Sequence, residues 1–169
     1  DGKLLLGASG LVGEIGHLRT VRYGRVCRCG NRGCLETIAS PVAIAGLLQD
    51  SWGVPVAAPD LLGLLRDGNT GAVRAVEDAG EAVGQALASL VTLINPELVV
   101  VGGDLAAAGD VLLEPLRRAV TRFALPSATT GVTIVRGELG ARAEVRGGAG
   151  IVLARAPQCL AAMATAGSA

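Results

Sequence analysis

The sequence predicts an α/β fold. Three observations carry this. Residues 70–94 place Val73, Val76, Gly80, Val83, Leu87, Leu90, Val91 and Ile94 at intervals of three and four, the stripe of a long amphipathic helix. Leu98 to Val101 is an unbroken apolar run, as in a strand buried on both faces. Helical and extended patterns then alternate to the end of the chain, the order expected of a layered α/β domain.

Taken in order, the elements follow from local chemistry. Lys3 to Ala8 is short and apolar and predicts a strand, followed by a glycine-studded loop to Gly16. Leu18 to Tyr23 alternates apolar and polar residues and predicts a second strand. Cys34 to Ser40 predicts a helical turn that Pro41 stops, and Pro41 suits the first turn of a helix to about Asp50. Val54 to Pro59 is a connector, and Asp60 to Arg66 a short helix. Thr70 can cap the long helix, which Asn95-Pro96 ends. Gly102-Gly103 follows the apolar run. A helix from Ala106 to Phe123, a strand from Val132 to Val135 and a last helix from Ala141 to Ala156 complete the chain.

Half of the 169 residues are hydrophobic and only 18% are charged, which excludes a disordered chain. Aromatic residues are 2%, so the core must be built from Ala, Val, Leu and Ile. A formal net charge of zero argues against nucleic-acid binding by this segment, which needs clustered cations. The arginines from Arg19 to Arg32 lack interleaved aromatics and read as a solvated face. No apolar run reaches the length of a membrane span and no signal peptide is visible, so a cytoplasmic location is expected. The chain starts at Asp1, not Met, and a fragment of a longer protein is expected.

Of four cysteines, Cys27, Cys29 and Cys34 fall within eight residues, and Cys159 lies far away, expected as a small apolar side chain in or near the last helix. Nothing suggests the secreted setting of a disulfide framework. The single histidine, His17, completes the pattern H-x9-C-x-C-x4-C. Three thiolates and one imidazole satisfy tetrahedral zinc, and four protein ligands leave no open position, so the site would be structural. Gly30 and Gly33 would let the backbone turn sharply around a small ion. The alternative is three reduced thiols in a polar loop beside an unrelated histidine. The Gly102-Gly103 pair sits where ligands bind in open α/β sheets, at the carboxyl end of a strand. A tight turn into a helix is an equally good account of it.

The segment Gly13-Glu14-Ile15-Gly16-His17, with Cys27-Arg28-Cys29-Gly30-Asn31-Arg32-Gly33-Cys34-Leu35-Glu36, resembles the signature of the ROK family, named for repressors, open reading frames and sugar kinases. Ile94-Asn95-Pro96-Glu97, the run Val99 to Gly103, Leu139-Gly140 and the stretch Gly147 to Ala154 are also similar to the family pattern. The resemblance covers nearly the whole chain. It implies an actin-like, ribonuclease-H-like sugar-kinase fold, of which residues 1–169 form a single carboxyl-terminal domain with an inserted zinc loop at 17–36. It implies Zn2+ as a structural cofactor. It also implies that Glu14, His17 and Glu36 hold sugar hydroxyls, with one ring nitrogen of His17 on the metal and the other toward the sugar. Carboxylates accept paired hydrogen bonds from hydroxyls, and a metal fixes the orientation of the imidazole.

Kinase members of the family need an Asp that takes the proton from the attacking hydroxyl, in an Asn-Asp context, and two glycine-rich phosphate loops. None lies in this sequence, so no kinase activity is expected from these residues, and ATP is relevant only if the chain is part of a kinase. Family repressors carry an amino-terminal helix-turn-helix, through which alone DNA would be a partner. Cys34-Leu35-Glu36-Thr37, Gly102-Gly103-Asp104-Leu105, Ala124-Leu125-Pro126 and Leu139-Gly140-Ala141-Arg142-Ala143-Glu144-Val145 look more like regulator versions. The favoured expectation is therefore the sugar-sensing domain of a transcriptional regulator, the alternative the carboxyl-terminal part of a glucokinase-like enzyme. A third reading is a truncated product with no function of its own. The resemblance further implies a homo-oligomer.

Overall fold

The computed structural model describes residues 4–166. After a 3-10 turn at Ile15–His17 and the cysteine loop come α1 (Glu36–Ala39) and α2 (Pro41–Trp52). A 3-10 turn at Ala58–Asp60 leads into α3 (Leu61–Arg66) and then α4 (Thr70–Ile94). Strand β1 (Leu98–Val101), a 3-10 turn at Asp104–Ala108, α5 (Asp110–Phe123) and α6 (Pro126–Thr129) follow. The chain ends with β2 (Thr133–Arg136), a 3-10 turn at Gly140–Arg142 and α7 (Ala143–Ala166). β1 and β2 pair in parallel, with Leu98 opposite Thr133 and Val101 opposite Arg136.

Helix α4 is the spine. Its first half shares a core with α2, α3 and α5 through Ile44, Leu48, Leu61, Val76 and Leu112. Its second half packs Leu87 and Val91 on Leu116, Val120 and Ile134. Gly80 and Gly84, four residues apart, lie on one helical face, where α5 comes close enough that a side chain would not fit. A Cβ at Gly84 would overlap the Leu116 carbonyl and stand 2.7 Å from the Ala119 Cβ, and one at Gly80 would overlap the Leu112 carbonyl. Buried side chains among the described residues are all apolar. Trp52, the single tryptophan of the chain, closes α2 beside Gly71 on the first turn of α4.

Helix starts follow capping chemistry. Ser40 Oγ accepts from the Ala43 amide at 3.1 Å with Pro41 in the first turn of α2. At α4 the cap is Asn69, not Thr70: its side chain accepts from the Ala72 amide at 2.9 Å, and Thr70 is the first helical residue. Helix α4 ends at Asn95, the one described non-glycine residue with positive φ, at 49°.

Several expectations are corrected. Leu4 to Ala8 is not a strand: among the described residues it shares no ladder, and Leu4, Leu5 and Leu6 are exposed; Lys3 falls outside the described residues. Leu18 to Tyr23 is not a strand either. It makes a single antiparallel bridge, Arg19 to Cys34, and otherwise wraps the cysteine loop. β1 is not buried on both faces: Leu98 and Val100 are exposed and only Val99 and Val101 point at the core. In the predicted stripe of α4, Ile94 is exposed, and the buried face is completed by alanines such as Ala72, Ala75 and Ala79. The helix expected from Ala106 begins at Asp110, because Gly109 at φ 62° breaks it from the preceding 3-10 turn. The last helix runs past Ala156 to Ala166 and so includes Cys159.

Gly84→Ala should lower unfolding stability by about 2 kcal/mol or more, because the added methyl meets backbone that cannot yield. Gly63→Ala, in α3 with open space around it, should be neutral or stabilise by about 0.5 kcal/mol. Denaturant midpoints of the two variants check both outcomes.

Candidate functional site

The cysteine loop folds by backbone hydrogen bonds before any side chain converges. Cys27 donates its amide to the Asn31 carbonyl at 2.7 Å, and Gly30 donates to the Cys27 carbonyl at 2.9 Å. Gly30 turns at φ 90° and Gly33 at φ 70°. The Gly33 carbonyl accepts from both Thr20 and Val21, at 2.8 and 3.1 Å. A Cβ on Gly33 would collide with the Val21 carbonyl, so this crossing admits glycine alone. Ile15 packs against the core beside α4, which anchors the turn that presents His17.

These turns bring the four predicted residues together. One ligand atom from each of His17, Cys27, Cys29 and Cys34 lies within 4.8 Å of all the others, a group that could hold a metal ion. His17 Nδ1 is 3.6 Å from Cys27 Sγ, and Cys29 Sγ is 3.6 Å from Cys34 Sγ. A tetrahedron with zinc–ligand bonds of 2.0 to 2.3 Å has edges of roughly 3.5 to 3.8 Å, so these spacings fit such a set. Cys27 and Cys34 are buried and Cys29 is exposed.

The thiols are unequal. A backbone hydrogen bond at Asn31 is the main influence that lowers Cys29 to about 7. Burial pushes Cys34 up to about 12, reinforced by the neighbouring sulfurs of Cys29 and Cys27.

Two carboxylates flank the imidazole. Glu14 lies 3.9 Å from His17 Nε2, and Glu36, the first residue of α1, lies 3.5 Å from Nδ1. Arg28 holds the other oxygen of Glu36 at 2.9 Å, a partner that no spacing in the sequence marks. The arrangement offers an imidazole edge and two acceptor groups to a polyhydroxyl ligand. Gly102 and Gly103 line a different cavity, of about 680 Å³, at the carboxyl ends of both strands. Gly137 and Gly140, after β2, line it too, with Leu62 and Leu105 as apolar walls. The glycine after β2 repeats the strand-then-glycine order of β1, which is the sequence signal for this second wall.

The fold is shared with solved structures of sugar kinases and of a transcriptional regulator. A ROK family transcriptional regulator, a homolog of the Escherichia coli Mlc protein, superposes with TM-score 0.73 at 31% identity, covering 80% of this chain and 37% of that one. A ROK family glucokinase from Streptomyces griseus, solved with glucose and AMPPNP, superposes with TM-score 0.71 at 26% identity, covering 83% and 51%. The class is therefore the actin-like ATPase fold of sugar kinases. The sequence model of the ROK family matches residues 1–155, and the chain belongs to the ROK family. A glucokinase of Halalkalibacterium halodurans is 34% identical over 168 residues, 90% of this chain and 51% of that protein. The Escherichia coli DNA-binding transcriptional dual regulator NagC is 33% identical over 154 residues, 86% of this chain and 38% of that protein. The chain thus spans between about a third and about half of the length of these relatives.

In metal-free protein at pH 7, alkylation followed by mass spectrometry should label Cys29 before Cys34. Cys29, its thiol lowered to about 7, should show a rate that climbs with pH and levels off above neutrality, since the thiolate is the reactive form. Equal labelling of both residues would contradict the geometry.

Proposed function

We propose that this chain is the sugar-sensing domain of a ROK-family transcriptional regulator, built around one structural zinc ion. The observation that carries the reading is the convergence of His17, Cys27, Cys29 and Cys34 within 4.8 Å, with Glu14 and Glu36 against the same imidazole. When bound, zinc would fix the loop and hold the imidazole in one tautomer. His17 lends Nδ1, the nitrogen beside Cys27, to the metal and turns Nε2 toward Glu14 and the sugar. Glu14 and Glu36 accept hydrogen bonds from hydroxyls, and Arg28 keeps Glu36 in place. A four-ligand protein set leaves the metal no position for substrate, which fits a binding domain.

The similarity to NagC and to the solved regulator supports the regulator reading. The second reading is the carboxyl-terminal part of an ATP-dependent hexose kinase, favoured by the glucokinase relatives. In that case the cavity beside Gly102 and Gly103 would take the nucleotide. In either reading the ligand is a small sugar and the protein works in the cytoplasm as a homo-oligomer; in the regulator reading DNA is met only through a helix-turn-helix outside this chain. No helix among the described residues is long and apolar enough to cross a membrane.

Cys29→Ser should bring bound zinc toward zero by elemental analysis and lower the melting temperature, because metal binding and folding are coupled. Unchanged zinc content and melting would count decisively against the metal site. Glu36→Gln should weaken sugar binding in calorimetry about tenfold while zinc content stays constant. A helix-turn-helix encoded upstream of Asp1, with no sugar-dependent ATP turnover by the full-length protein, is the outcome the regulator reading requires. Turnover would move the assignment to the kinase.

A further inference from the structure

The outer side of the cysteine loop carries a second concavity, of about 460 Å³, lined by His17, Arg19, Arg22, Tyr23, Asn31 and Arg32. Among the described residues no carboxylate lines it. Its three arginines take part in none of the ion pairs among the described residues, whereas Arg25 is paired with Asp50 and Arg28 with Glu36 on the same loop. Arg19 is tied down by donating to the Arg22 carbonyl at 2.7 Å, and Arg22 rests over the Tyr23 ring at 5.3 Å. Three arginines lining one hollow of that size suit an oxyanion, since each planar guanidinium fork can match two phosphate oxygens. His17 belongs to this hollow and to the proposed sugar site alike.

The geometry points to an anion subsite here, so that the ligand is a sugar carrying a phosphate group. The inference rests on the sugar reading above. The hydroxyls of the ligand meet Glu14, His17 and Glu36, and its phosphate reaches past the imidazole to Arg19, Arg22 and Arg32. The two acids lie against His17 and repel the phosphate, which orients the ligand with its charge on the arginine side.

Calorimetry of the full chain with glucose, glucose 1-phosphate, glucose 6-phosphate and inorganic phosphate tests this. One of the two esters should bind about tenfold more tightly than glucose at low salt, with the advantage shrinking at about 0.5 M salt as the charges are screened. Arg22→Gln with Arg32→Gln, both exposed positions, should remove the advantage and leave glucose affinity and zinc content unchanged. Equal affinity for glucose and both esters overturns the inference, and so does an advantage that survives the double substitution. Inorganic phosphate binding that the double variant loses, without any glucose binding, supports the anion subsite and sinks the sugar reading alone. Tighter binding of a DNA duplex than of either ester overturns the assignment to a small ligand.

Discussion

Helix α4 presents bare backbone to α5 at Gly80 and Gly84, and the rest of the molecule is arranged around that contact. The approach lets one helix of 25 residues serve two halves of an aliphatic core. A core of Ala, Val, Leu and Ile offers no large rings to fill gaps, so it reaches native density by bringing backbones close. The same helix supports the site. Ile15 packs on the core cluster that its second half shares with α5 and β2, and α1, which begins at Glu36, lies against it. His17 and Glu36 therefore hang from one rigid element though nineteen positions separate them in the sequence.

The site itself combines two demands on one imidazole. Nδ1 faces the sulfur of Cys27, and Nε2 faces the carboxylate of Glu14. A ring shared in this way cannot rotate to improve one contact without losing the other. The loop backbone fixes that compromise, through the crossing at Gly33 and the turns at Gly30 and Cys27. The uneven thiols fit the same picture: Cys34 lies under the loop and Cys29 at its edge.

Much of this was legible in the residues. The long helix, its end at Asn95-Pro96 and the strand Leu98 to Val101 follow from periodicity and turn chemistry, and the structure has all three. His17, Cys27, Cys29 and Cys34 were named as candidate ligands from spacing and donor chemistry, and the structure gathers them into a group that could hold a metal ion. What escaped has physical reasons. The segment Leu18 to Tyr23 alternates like a strand, but alternation describes one chain and a strand needs two. The cap of α4 went to Asn69 because its side chain, one residue further back, reaches the Ala72 amide. Gly109 interrupts a helical pattern through its φ, which composition does not reveal. The arginines of the cysteine loop looked like solvated charge in one dimension; only folding shows that three of them border one hollow and two are neutralised.

The placement of the rare aromatic residues has a practical outcome. Tyr23 stands exposed on the cysteine loop, and Trp52 sits where α2 meets α4. The molecule thus carries two native optical labels on two different parts. Emission excited at the red edge of the indole band reports the helical junction alone. Phenol absorbance in the near ultraviolet, read as a difference spectrum, reports the loop. Comparing the two traces distinguishes local opening of the loop from global melting without attaching any dye.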